Sequence, residues 1–117
     1  MTSSIVEIAS SFSLHRFEQT YRFMLEDVEW TQVGGTHARG KEAVMGVCEE
    51  SAKYLAQVRT TFHHFRVIEA DDCVVIDTRA EYVDDEGSSI VASCDIYDFT
   101  EGKLAAIISY TVELGTG

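Results

Sequence analysis

At 117 residues, with 45% hydrophobic and 25% charged side chains, the chain has the make-up of a folded globular domain, which excludes a disordered or membrane-spanning segment. Its 20 acidic residues against nine Lys and Arg leave a net charge of −11. That balance excludes the clustered cations that nucleic acid or an anionic membrane surface would need.

No apolar run approaches the roughly 18 residues that cross a bilayer. The opening "MTSSIVEIASS" lacks a basic stretch followed by a long apolar core, so a cytoplasmic location is expected. With no Pro and no linker-like segment, residues 1–117 are expected to form a single domain.

In chain order, "SIVE" matches a capping box, with Ser4 as N-cap and Glu7 three residues on. A second helix is expected after Ser13, because Leu14, Phe17, Tyr21, Met24 and Val28 recur at spacings of three and four. "DVEWT" then reads as a short strand and "QVGGTHARG" as a loop. A third helix opens at "GKEAV", with Ala43, Val44, Val47, Cys48, Tyr54, Leu55 and Val58 on one face.

From residue 60 the period changes to two. Strands are expected at about 60–69, 73–83, 89–99 and 104–114, joined by the turn-forming "ADD", "DDEG" and "TEGK". Helices first and an antiparallel meander afterwards define an α+β domain. Cys48, Cys73 and Cys94 are odd in number and form no CxxC pair, so we read them as small apolar fillers.

The segments "LEDVEW", "HARGKEAV" and "DIYDFTEGKLAAIISY" resemble, in order and spacing, the nuclear transport factor 2-like superfamily, in particular its SnoaL-like and ketosteroid isomerase-like proteins. The resemblance spans nearly the whole chain. It implies a cone-shaped roll, with three N-terminal helices packed in the concave face of a curved, mostly antiparallel sheet and a pocket at the open end. It also implies a homodimer formed through the sheet, and no cofactor. Four dispersed histidines at no ligand spacing give no metal site.

Pocket-facing side chains follow from an assumed register. If residues 85–87 form a three-residue hairpin loop with Gly87 left-handed, Val83 pairs with Ser89, and Asp77, Arg79 and Glu81 share a surface with Asp95, Ser93 and Val91. In ketosteroid isomerases a cavity-facing acid opens a "D-x-x-x-F" stretch, which "DIYDF" matches at Asp95. The resemblance thus turns Asp77, Arg79, Glu81, Ser93, Asp95, Tyr97 and Phe99 inward. On the last strand Ile107, Ser109 and Thr111 follow. His64 on the preceding strand joins them unless a one-residue slip substitutes His63. Ile76, Ala80, Tyr82, Ala92, Cys94 and Ile96 would then form the outer, dimer-forming surface.

Asp95 is the first candidate for chemistry, as an acid or base raised by desolvation or else as the ionised partner of Arg79. His64 would be its proton partner. Arg79 would bind an oxyanion or position a carboxylate. Arg79 and Glu81 also resemble the Arg-x-Asp pair of limonene epoxide hydrolase-like proteins, where a water is activated; alternatively they form an ion-pair ladder with Arg66 and Asp77. The isomerase base lies in the segment where this chain has Trp30, so Trp30 is either a flat wall for a ring-shaped ligand or core mass. Tyr21 and Tyr54 either point hydroxyls into the cavity or pack in the core; His37 caps the third helix, lines the rim or faces water; His15 reads as helix surface.

The expected function is binding of a small apolar, ring-containing molecule. Three activities remain open: cofactor-free proton transfer of the cyclase or isomerase type using Asp95, His64, Arg79 and Glu81; a non-catalytic ligand-binding or dimerisation module; and epoxide hydrolysis by Arg79 and Glu81. Asp77, Ser93, Tyr97 and Ser109, with Trp30, Tyr21 and Tyr54, are the expected ligand contacts.

Overall fold

The computed structural model describes residues 4–115. The elements run α1 (Ile5–Ser13), a 3-10 helix (Phe17–Phe23), β1 (Met24–Gln32), β2 (His37–Arg39), α2 (Lys41–Leu55), β3 (Arg59–Ala70), β4 (Cys73–Asp84), β5 (Gly87–Thr100) and β6 (Lys103–Gly115). One curved sheet in the order β2-β1-β6-β5-β4-β3 carries the three helices on its inner face. Every pairing is antiparallel except β1 with β6.

The Ser4 side chain accepts from the Glu7 N–H at 3.1 Å, and the Glu7 carboxylate accepts from the Ser4 N–H at 3.0 Å. This capping box satisfies two helix-end donors and starts α1. The helix ends when the Arg16 N–H reaches the Ser11 carbonyl at 2.8 Å and the His15 N–H reaches Phe12 at 2.9 Å. His15 carries the left-handed backbone of this stop, at φ 67°. Glycine usually fills that position, and a larger side chain there costs roughly 1 kcal/mol. At the start of α2, Gly40 at φ 94° donates its N–H to the Val28 carbonyl at 2.7 Å, a conformation that suits glycine alone among common residues.

The core lies between α1, α2 and the inner face of the sheet. Ile8, Ala9 and Phe12 of α1 and Val44 and Cys48 of α2 meet Val28, Val74, Ile76, Tyr97, Leu104 and Ile107 of the strands, all buried. The expected second helix is a single 3-10 stretch, and Met24 and Val28 belong to β1 instead. A separation of four residues satisfies one helical turn and two strand repeats alike; the buried set Met24, Val28 and Trp30 follows the strand period. The expected loop at "QVGGTHARG" also contains β2, whose Arg39 and His37 both bond the Glu29 carboxylate, at 3.0 and 3.2 Å.

The β4–β5 hairpin turns one residue away from the expected register. Asp84 pairs with Gly87, and the Asp84 carboxylate accepts the Glu86 N–H at 2.9 Å. That side-chain bond closes a tight turn over Asp85 and Glu86 in place of the three-residue loop. Val83 therefore faces Ser88, Ile76 faces Asp95, and Asp77 faces Cys94. Because side chains alternate with period two, the shift sends Asp77, Arg79 and Glu81 to the outer face. Ile76, Ala80 and Tyr82 come inward with Thr78; the first two are essentially inaccessible. Of the expected outer set, Ala92, Cys94 and Ile96 remain, joined by the half-exposed Tyr110 and Val112 of β6. Among the described residues no helix is long and apolar enough to cross a membrane.

Candidate functional site

Between α1, α2 and the inner face of β4, β5 and β6 lies a cavity of about 900 Å³. Its floor is aromatic. Phe12 and Trp30 meet edge to face at 4.9 Å, and Phe17 lies 5.0 Å from Phe12. Edge-to-face packing suits the charge distribution of aromatic rings and holds this wall rigid.

One carboxylate opens onto this cavity from the middle of the sheet. Asp95 accepts a hydrogen bond from the Ser13 hydroxyl at 2.9 Å. Its cross-strand partner Ser109 bonds it as well. Ser109 in turn accepts from the Trp30 indole N–H at 3.0 Å, and the Ser13 hydroxyl stands 2.6 Å from that of Tyr97. Two donor chains thus converge on one side chain: Trp30 through Ser109, and Tyr97 through Ser13. Burial pushes the Asp95 carboxyl above its ordinary value, although the Ser109, Ser13 and Tyr97 bonds pull it down. A carboxyl raised in this way can hold a proton and donate it to a ligand oxygen. Tyr97, wholly buried, is raised far above the usual phenol value by burial and by the nearby Asp95 charge.

His15 forms the wall next to this group. Its ring lies 5.5 Å from Phe62, 5.8 Å from Phe17 and 6.2 Å from Tyr82, on which it stacks. Burial lowers its imidazole below the ordinary value, favouring the neutral form. Tyr82 is raised by burial and, secondarily, by Tyr54 and Asp95.

The expected site residues separate into two groups. Asp95, Trp30, Ser93, Tyr54 and Ser109 line the cavity, and Tyr97 stands directly behind Asp95. His64, Arg79, Glu81 and Asp77 do not: they occupy the outer face. There His64 bonds Asp77 at 3.0 Å and His63 bonds Glu81 at 2.9 Å. A bulge between Phe62 and His64 lets both histidines reach outer carboxylates while Phe62 turns inward to His15. The epoxide-opening role attached to Arg79 and Glu81 therefore has no residues in the cavity. Tyr21 also lies outside it, against Cys48; burial first, then Cys48, pushes its phenol to about 12. Trp30 is wall and core together. His15, expected on the helix surface, and Tyr82, expected on the outer face, both line the cavity, as does Ser13, which the sequence did not single out. Among the described residues no group of three or more His, Cys, Asp or Glu gathers as metal ligands.

Residues 7–107 match the family model for the SnoaL-like domain, and the chain belongs to that family. No curated protein matches the sequence. A nuclear transport factor 2-like protein of unknown function from Cytophaga hutchinsonii is 28% identical, with a TM-score of 0.81 over 91% of this chain and 94% of that one. The fold is shared with a limonene epoxide hydrolase-like epoxide hydrolase of M. tuberculosis, at 13% identity and a TM-score of 0.70 over 95% and 84% of the two chains. It is also shared with a ketosteroid isomerase-fold protein from Catenulispora acidiphila solved with trimethylamine, at 15% identity and a TM-score of 0.66 over 94% and 86%.

Proposed function

We propose that the protein binds a small, mostly apolar, ring-containing molecule in this cavity and acts on it by cofactor-free proton transfer through Asp95. The observation that carries the reading is a raised, hydroxyl-bonded carboxyl opening onto an aromatic-walled cavity of about 900 Å³. Such a group meets the requirement for donating to a ligand oxygen as negative charge develops there. Apolar walls supply most of the affinity, and Asp95 orients the ligand. The outer-face residues His64, Arg79 and Glu81 have no part in this step.

2-Naphthol, a flat ring with one hydroxyl, tests the reading in a binding titration followed by NMR. Binding that shifts the resonances of Asp95, Ser13 and Ser109, and that weakens about tenfold in Asp95→Ala, is the expected result. No binding, or equal binding by the variant, overturns it.

A non-catalytic ligand-binding role is the second reading, favoured by the hydrogen bonds that already occupy Asp95. For either role we propose a homodimer through the outer face, where Ala92, Cys94 and Ile96 adjoin the exposed Tyr110 and Val112. Light scattering would then give twice the 13.0 kDa chain mass, falling to the monomer in Val112→Asp. A monomeric native protein would refute the dimer.

A further inference from the structure

We propose that His15 is the second polar anchor of the cavity, accepting a hydrogen bond from a ligand whose oxygen contacts Asp95. The ligand class is thereby narrowed to two-ended molecules: a flat ring with an oxygen at one position and an O–H or N–H donor at another. This inference rests on the binding reading for Asp95.

Two geometric observations meet at this residue. Its ring is held by Phe17, Phe62 and Tyr82, drawn from the 3-10 helix, β3 and β4, so its orientation is fixed before any ligand arrives. No hydrogen bond to its ring nitrogens occurs among the described residues. No fully buried side-chain nitrogen or oxygen there is left without a partner. Both ring nitrogens therefore keep some accessible surface, on a residue that lines the cavity.

The position relative to Asp95 is set by the chain itself. Ser13, two residues earlier, bonds Asp95 directly, so the end of α1 delivers both the carboxyl's partner and the imidazole to one wall. The titratable group against the ring is Tyr82 of β4; Asp95 of β5, Glu113 of β6, and Glu50 and Tyr54 of α2 also line the cavity. A neutral imidazole offers one acceptor nitrogen and one donor N–H. Burial among three rings favours that neutral form.

The test compares 2-naphthol with a set of dihydroxynaphthalene isomers, binding each to the native protein and to His15→Phe. The Phe ring keeps the aromatic packing and removes both nitrogens. If that variant does not fold, His15→Asn takes its place, since Asn tolerates left-handed backbone and is too short to reach the ligand. At least one isomer should bind about tenfold more tightly than 2-naphthol to the native protein, the advantage disappearing in the variant while 2-naphthol binding persists. If 2-naphthol binds through Asp95 but no isomer gains, or the gain survives in the variant, the role of His15 is overturned and that of Asp95 stands. If 2-naphthol does not bind, or binds independently of Asp95, both fall.

Discussion

Ser13, in the last turn of α1, donates its hydroxyl hydrogen to Asp95 on β5 at 2.9 Å, joining residues 82 positions apart in the chain. The bond ties the helix to the sheet where the cavity begins. The same hydroxyl lies 2.6 Å from that of the wholly buried Tyr97, so one small side chain serves two polar groups. Ser13→Ala removes that service from both. We expect a stability loss of about 1–3 kcal/mol, because the Tyr97 hydroxyl loses its short-range partner, and a further rise of the Asp95 pKa. Urea denaturation and an NMR titration of the carboxyl check the two effects separately.

Asp95 also sets the sign of a pH dependence. Its carboxyl is raised in the folded protein from an ordinary value of 3.8, so the folded state holds the proton more tightly than the unfolded chain. Below the unfolded value both states are protonated and no penalty exists. As pH rises from there through the folded value, stability falls, and the full penalty remains above it. Asp95→Asn should therefore be more stable than the native protein at neutral pH, with the gain shrinking toward acid. Denaturation midpoints measured from pH 3 to 8 give the comparison; a variant equally stabilised at every pH would contradict it.

The two sides of β4 should respond oppositely to truncation. Ile76 is fully inaccessible in the core, so Ile76→Ala is expected to cost about 2–5 kcal/mol. Asp77, its neighbour, bonds among the described residues only the half-exposed His64, and Asp77→Ala should change stability by no more than about 0.5 kcal/mol. Chemical denaturation of the pair reports the β4–β5 register directly. A large loss at Asp77 with tolerance at Ile76 would mean that the strand faces the other way.

Arg79→Ala, His64→Ala and Glu81→Gln should leave 2-naphthol affinity within about twofold of the native value, because those side chains occupy the outer face. Isothermal titration at one pH suffices. If any of them matches the loss produced by Asp95→Ala, the separation of the faces is wrong.

Much of the architecture was legible because its signals are local. Ser4 and Glu7 announce α1 through a four-residue motif, and Gly40 followed by Lys41 opens α2. The four long strands announce themselves by period. Met24 and Val28 were misassigned because their spacing fits two periodicities at once. Ser93, Asp95 and Tyr97 share a face by the alternation of their own strand, so their relation never depended on a neighbour. Asp77, Arg79 and Glu81 were placed through a cross-strand pairing, and that pairing hung on one turn. The Asp84 carboxylate, by capturing the Glu86 N–H, moved the turn by a residue and carried three charges to the far side of the sheet. His15, expected on the helix surface, lines the cavity for a different reason. Its left-handed backbone arises from the helix stop, and its surroundings come from β3 and β4, far away in sequence.

A carbon-detected NMR titration of the Asp95 carboxyl, alone and with saturating 2-naphthol, tests most directly whether Asp95 is raised and meets the ligand. The expected result is a titration above the ordinary 3.8 in the free protein and a chemical-shift change at that carbon when the ligand enters. A carboxyl that titrates at or below 3.8 and does not respond to the ligand would contradict it.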